Sequence, residues 1–319
     1  MDPLSDVLRA IRVDGAFFYA VEAGAPWRVH AAAATELTPR ILPHAEHLIS
    51  YHIVTRGQCW GGVQGEALTE LHAGDVIVFP HGHPHVMASS AARDNPAYDQ
   101  TTAPDRHPNL VRLGGKDEPV ATFICGFLGC DRRPFNPLLA TLPNCLHMRG
   151  LSQGWLGAFA QEVVAESQQP RMGSESVLTR LAELMFIQLV RQYLEAMPSE
   201  QTGWLAGLRD PLVGRALTEL HARPAHDWTL AELATAVAGS RSKLAERFTE
   251  MVGQPPMQYL TQWRLQLAAG LLRRNGAKVS AVAAQVGYAS EAAFSRAFKK
   301  ATGVSPGSWR GRGDAPDQS

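Results

Sequence analysis

The sequence predicts an α+β chain of two domains: an N-terminal β-barrel with flanking helices, then an all-α domain holding two helix-turn-helix motifs. Three observations predict it. Short apolar runs rich in β-branched and aromatic residues dominate the first half, bounded by Gly, Pro and Asp. One helix-turn-helix pattern occurs twice in the last hundred residues. The 319-residue chain is neutral overall, yet residues 205–319 hold 15 Lys and Arg against 9 Asp and Glu. The apolar content of 45% and charged content of 19% are ordinary globular values.

Taken in order, residues 4–86 read as strands separated by turns, with Ala16–Val21, His47–Val54 and Val76–Phe79 as the clearest. Several short strands at close spacing favour a barrel or sandwich. Residues 88–118 are polar, with Pro96, Pro104, Pro108 and Gly114-Gly115, and read as a loop. Val120–Leu128 resumes as a strand. Helical spacing follows over 152–167 and 174–196. In the second of these, Val177, Leu181, Leu184, Met185, Gln188, Leu189 and Tyr193 fall near one face, and Ser174 is placed to cap it. That helix is the expected dimerisation element of a homodimer. The expected organisation is therefore 1–150 for the barrel, 151–203 for a helical dimerisation and linker region, 204–312 for the all-α domain, and 313–319 for a disordered tail.

In the all-α domain, Asp210-Pro211 starts a helix carrying Val213, Leu217 and Leu220. Thr229 and Glu232 form a capping box for the first motif, and Ser240 caps its second helix, which ends at Gly253. Pro255-Pro256 opens a long helix to about Arg274. The second motif runs from Ser280 through Gly287-Tyr288 and Ser290 to Gly303, and Pro306 starts a last short helix. From Phe248 and Phe298 onward the copies keep register: Gly253 matches Gly303, Pro256 matches Pro306, Tyr259 matches Trp309. Paired motifs in the basic half imply a protein that reads DNA.

No run approaches 18 apolar residues, and the N-terminus lacks a signal-peptide layout, so a cytoplasmic chain with no membrane partner is expected. Cys59, Cys125, Cys130 and Cys145 are then expected as reduced thiols.

The double motif, the joining stretch Tyr259–Leu265, and the spacing Val286-Gly287-Tyr288, Ser290, Phe294-Ser295-Arg296, Phe298-Lys299, Gly303 and Pro306 resemble the AraC/XylS family of bacterial transcription regulators, over about 209–312. The resemblance implies two motifs in successive major grooves of promoter DNA, with RNA polymerase as a partner. It places Arg241, Ser242 and Lys243 at base edges in the first motif and Ser290, Glu291, Ala292 and Arg296 in the second. It assigns Arg247, Arg264, Lys299, Lys300 and Arg310 to phosphates. Glu246 departs from the family, which often has a basic or amide residue there; it either accepts from a cytosine amino group or faces solvent.

Leu71–His85, with Gly74-Asp75 and Pro80 ahead of His85, resembles the second conserved motif of cupins, and about 1–150 looks like the cupin-type sensor of some AraC-family regulators. The earlier cupin motif, two His followed by Glu, is missing. His52, His85 and Cys125 are the candidate ligands for Zn²⁺ or another divalent transition metal, with His81, His83 and Cys59 as further candidates. Cys125, with Cys59 or Cys130 as partner, is the candidate redox centre. Both readings stay open beside an unknown small effector. The rival is a metal-dependent cupin enzyme fused to a DNA reader. The missing motif opposes that rival, so no catalytic residue is assigned and a non-enzymatic regulator is expected.

Overall fold

A computed structural model describes residues 2–11, 13–91, 110–114, 118–149, 155–168, 171–198, 200–273 and 277–311. In chain order the elements are α1 (Pro3–Ala10), β1 (Val13–Gly24), β2 (Arg28–Ala31), α2 (Ala34–Ile41), β3 (His47–Val63), β4 (Thr69–His72), β5 (Val76–Phe79), β6 (His85–Ala88), β7 (Leu110–Gly114), β8 (Ala121–Cys130), α3 (Pro137–Thr141), β9 (Leu146–Met148), α4 (Trp155–Gln168), α5 (Ser174–Ala196), α6 (Trp204–Arg209), α7 (Val213–Ala222), α8 (Leu230–Ala236), α9 (Arg241–Val252), α10 (Pro256–Leu272), α11 (Val279–Gln285), α12 (Glu291–Thr302) and α13 (Pro306–Gly311). The expected tail 313–319 and residues 92–109 and 115–117 of the expected loop lie outside the described residues.

Two compact units result. The sheet unit takes residues 13–131 and 142–192; the helical unit takes 1–12, 132–141 and 193–319. The sheet unit is one nine-stranded sheet with the hydrogen-bonded order β2-β6-β3-β8-β1-β7, and β4, β5 and β9 attached through β3 and β5. Among the described residues this path is open, so the expected barrel is corrected to a sheet that does not close. The expected flanking helices include α1 and α2, both set among the residues read as strands and turns; in α1, Asp2 accepts from Ser5 N at 2.9 Å and Pro3 sets the first turn. The expected loop contains β7, which pairs in parallel with β1 from Ala20↔Leu110 to Gly24↔Gly114.

The 17-residue β3 organises the sheet. Its first half pairs with β5 and β8, and its second half with β4 and β6. The register shifts between Val54 and Arg56, and Gly57 follows with φ +74. A Cβ at Gly57 would lie 1.9 Å from the Val120 carbonyl oxygen, so this bend requires glycine. The bend turns both halves around one core that contains Trp27, Val54, Cys59, Leu71, Ile77, Phe79, Met87, Phe123 and Cys125.

The helical unit follows its local signals. Thr229 accepts from Glu232 N at 3.2 Å while Glu232 accepts from Thr229 N at 2.9 Å, completing the expected capping box of α8. Leu244 and Phe248 of α9 and Phe294 and Phe298 of α12 are fully buried. They recur four residues apart, which places each pair on one helical face. The long helix α10 buries Tyr259, Leu260, Trp263, Leu265, Ala268, Ala269 and Leu272. Its 17 residues span about 26 Å.

Candidate functional sites

The first site is the pair of exposed helices α9 and α12. Each has 12 residues, a serine N-cap and a left-handed glycine at its end: Ser240 and Gly253 for α9, Ser290 and Gly303 for α12. Ser240 Oγ accepts from Lys243 N at 3.3 Å, and Ser290 Oγ accepts from Ala293 N at 3.2 Å. Arg241, Ser242 and Lys243, and likewise Glu291, Arg296, Lys299 and Lys300, are exposed. Local capping therefore sets the first turn of both helices, and core phenylalanines hold the opposite face.

Three of the arginines expected at phosphates have work inside the unit. Arg247 Nε donates to Asp210 at 2.8 Å and Nη1 to Glu250 at 2.8 Å. Asp210 in turn accepts from Leu212 N and Val213 N, both at 2.9 Å, so the pair ties α9 to the start of α7. Arg264 donates to the Pro224 and His226 carbonyls at 2.6 and 2.7 Å, and burial lowers its pKa. Arg310 donates to the Ala277 carbonyl at 2.9 Å.

The second site lies inside the sheet unit. Tyr19, Cys125 and His52 face one another in register across β1, β8 and β3. Opposed positions project to the same face of a sheet. His52 Nδ1 lies 2.9 Å from Cys125 Sγ, and its Nε2 lies 2.8 Å from His85 Nε2. His85 Nδ1 lies 3.1 Å from the His83 carbonyl oxygen. His52, His85 and Cys125 are 5%, 1% and 4% exposed. The His52 ring meets Phe79 and Phe123 edge-on, and His85 stacks on Phe79 at 3.9 Å.

That last carbonyl sets every proton in the chain. A carbonyl only accepts, so His85 Nδ1 carries a proton and donates. A neutral His85 then has a bare Nε2, which accepts from His52 Nε2–H. A neutral His52 has a bare Nδ1, which accepts from the Cys125 thiol. Tyr19 stands opposite Cys125 on the neighbouring strand β1. Burial enforces neutrality throughout: it drives His52 well below the usual imidazole range, lowers His85 to about 4, and pushes Cys125 up to about 12.

The other sequence candidates stand elsewhere. Cys59 is buried in the same core, its thiol raised to about 12 by burial and by the Asp75 carboxylate. Cys130 lies five positions beyond Cys125 on β8, an odd separation that sends it to the opposite face. None of the four cysteines forms a disulfide among the described residues. His81 Nε2 donates to the Leu142 carbonyl at 2.8 Å, and its ring centroid is 5.6 Å from that of His83. Among the described residues no group of three His, Cys, Asp or Glu side chains converges as a metal-ligand set. His52 turns one ring nitrogen to Cys125 and the other to His85, so the three candidate ligands form a chain, not a common centre. Asp75, from the Gly-Asp turn, accepts from His72 N at 3.1 Å and from His147 Nε2 at 3.0 Å, which fixes the entry to β5.

Sequence reasoning missed a third buried polar group, in the helical unit. Trp204 Nε1 donates to Tyr259 Oη at 2.8 Å, and His221 Nε2 lies 2.8 Å from the same oxygen. Gln266 on α10 donates to the Ala10 carbonyl and accepts from Phe135 N, both at 3.1 Å. A lone glutamine among Leu265, Leu267, Ala268 and Ala269 was the available signal.

Comparisons with known proteins cover both the sheet-bearing and the helical parts of the chain. A cupin family profile matches residues 2–195, and a helix-turn-helix domain profile matches residues 233–312. A Streptomyces antibioticus protein described as an AraC-like transcription regulator is 36% identical, over 97% of this chain and 98% of its own. The HTH-type transcriptional regulator AlkR of Acinetobacter baylyi is 29% identical over 97% of this chain and 99% of its own. The RCS-specific HTH-type transcriptional activator RclR of Escherichia coli is 26% identical over 85% of this chain and 88% of its own. Among the described residues no helix is long and apolar enough to cross a membrane. The chain belongs to the AraC/XylS family of DNA-binding transcription regulators, with a cupin-like domain ahead of its helix-turn-helix unit.

Proposed function

We propose that the helical unit binds promoter DNA at defined sequences, with α9 and α12 in successive major grooves, and there recruits or blocks RNA polymerase. The observation that carries this reading is the identical framing of the two helices by a serine cap and a left-handed glycine. It presents Arg241, Ser242 and Lys243 and, on the other helix, Ser290, Glu291 and Arg296 to base edges. Lys299 and Lys300 in the last turn of α12 reach phosphates. Changing Arg296→Ala is expected to weaken specific binding about 10-fold or more and to relax preference at a single base pair. Titration of full-length protein against specific and scrambled duplexes measures this; unchanged affinity and preference would remove α12 from base reading.

The signal enters through the chain Cys125–His52–His85. Two inputs have support. A divalent transition metal would enter where His52 Nε2 and His85 Nε2 share a proton, since borderline metals take neutral imidazole. Oxidation at Cys125 has the support of the name RclR carries, but the raised thiol pKa slows attack, because the thiolate is the reactive form. Metal content and a thiol count before and after peroxide or hypochlorite, on one preparation of the full chain, separate these inputs from an organic effector. The homodimer forms through α5. Ala182, Met185, Phe186, Leu189 and Val190 of that helix are buried, whereas Val177 and Leu184 are 41% and 45% exposed, leaving a second apolar strip. Sedimentation at micromolar concentration reads this; a strict monomer removes it.

A further inference from the structure

The shared framing of α9 and α12 lets their side chains be compared position by position. Counted from the serine caps, Arg241 corresponds to Glu291, Glu246 to Arg296 and Glu250 to Lys300. Counted back from Gly253 and Gly303, the same pairs result. At these three positions the two helices carry opposite charges, with Arg241, Glu246 and Glu250 in α9 against Glu291, Arg296 and Lys300 in α12. Glu250 is neutralised by Arg247 at 2.8 Å. Glu246 is exposed and makes no hydrogen bond or ion pair among the described residues, although Lys243 stands one turn away.

A free carboxylate in the middle of a recognition helix has a specific consequence. Between two rows of phosphates it is repelled, so it lowers affinity unless it accepts a hydrogen bond from a base. In the major groove the donors are the cytosine N4 and adenine N6 amino groups. Adenine places the N7 acceptor beside its amino group, which opposes a carboxylate; cytosine places no acceptor there. Guanine and thymine offer only acceptors at that edge. We propose that Glu246 is a specificity-determining residue that accepts from the N4 amino group of a cytosine, while the corresponding Arg296 takes a guanine. This rests on the DNA-binding reading above. The operator is then asymmetric, with the Glu246 cytosine in one groove and the Arg296 guanine in the next.

The test is selection from a random duplex library with the full-length chain and its Glu246→Gln and Glu246→Arg variants. Both substitutions lie on an exposed position, so the helix persists. Native protein is expected to select cytosine at one position of the first half-site. Gln, which pairs with adenine N6 and N7, should move that position to adenine; Arg, which pairs with guanine O6 and N7, should move it to guanine. Each switch should change the relative affinity for cytosine about 10-fold, with the Arg296 guanine unchanged. If affinity changes but every selected base stays the same, Glu246 acts only through charge and the proposal is overturned. If native protein selects no sequence, the DNA-binding reading itself fails.

Discussion

The two units each bury histidine in a polar network, and the networks are built to different ends. In the helical unit Trp204 of α6, His221 of α7 and Tyr259 of α10 meet at one hydroxyl, and Asp6 of α1 lies 3.7 Å from His221 Nδ1. Trp204 donates to the Tyr259 oxygen, His221 Nε2 pairs with the same hydroxyl, and His221 Nδ1 faces Asp6 without a hydrogen bond. His221 also stacks on Trp263 at 4.2 Å. Every link joins a different helix, and helices have no ladder of backbone bonds between them. In the sheet unit the strands are joined already: β3 and β8 pair over ten positions, and β3 also pairs with β6. The chain Cys125–His52–His85 adds no connection that the ladder lacks. Burying polar groups still costs free energy. A costly network that joins nothing marks function; one that joins helices marks structure.

The largest expected effect tests the structural half of this contrast. Gln266 links α10 to the Ala10 carbonyl and to Phe135 N, and it is 2% exposed. Gln266→Ala leaves two backbone groups without partners. At roughly 1–3 kcal/mol for each buried unsatisfied group, the loss is about 3 kcal/mol. Hydrogen exchange should show the loss in residues 2–11 and 132–141 as well as in α10, with the sheet unit unchanged. A change of under about 0.5 kcal/mol would mean the link is replaceable by water.

The next effect comes from pH. His52, His85 and His221 are all lowered by burial, His85 to about 4 and His221 to about 3. In the unfolded chain each takes a proton near pH 6.5. Below that pH the unfolded state binds more protons than the folded one, so stability is lost as pH falls, at up to about 1.4 kcal/mol per pH unit per histidine. The loss continues until the folded group itself protonates. Asp6, raised by burial, acts with the opposite sign nearer the carboxylate range and offsets part of the loss in the helical unit. Between pH 6.5 and 5 the sheet unit, with two such histidines, should therefore lose stability faster than the helical unit, with one. At pH 5.5 the sheet unit should therefore have lost more stability than the helical unit, read by hydrogen exchange unit by unit. Loss in the helical unit first would reverse the comparison.

The units also differ in how legible they were. Helical boundaries follow from neighbours in sequence: Thr229 with Glu232, Ser240 with Lys243, Gly253 and Gly303 at the ends. A reader of residues three and four apart recovers them. The Asp2 cap of α1 is equally local, and the run of apolar strands nearby obscured it. The sheet is different. His52 meets Cys125 across 73 residues and His85 across 33, and the contact depends on strand register and on the Gly57 bend. Residue type alone marked these three as candidates; it could not show that His52 splits its nitrogens between the other two, or that the path of strands stays open. The links of Arg247 to Asp210 and of Gln266 to Ala10 and Phe135 were hidden for the same reason, since their partners stand 37, 256 and 131 residues away.

The smallest effect on stability is the most decisive for the sheet unit. Replacing one member of its chain leaves the others unpaired in an apolar core, at about 1–3 kcal/mol for each orphaned group. Replacing all three removes the penalty among these side chains and leaves without its partner only the carbonyl of the half-buried His83. His52→Leu, His85→Leu and Cys125→Ala together put side chains of similar bulk beside Phe79 and Phe123, which already form apolar walls. The triple variant should unfold within about 1 kcal/mol of the native chain, or be more stable, because an apolar replacement of a satisfied buried network is often neutral. It should also lose the acid sensitivity of the sheet unit, since neither remaining wall residue titrates. Its DNA affinity without signal should be unchanged, and its response to the signal should be gone. Chemical denaturation and a promoter reporter measure the two halves of this expectation. A stability loss above about 3 kcal/mol would place the chain among structural networks, beside the one around Tyr259. A retained response in a stable variant would move the sensor away from His52, His85 and Cys125 altogether.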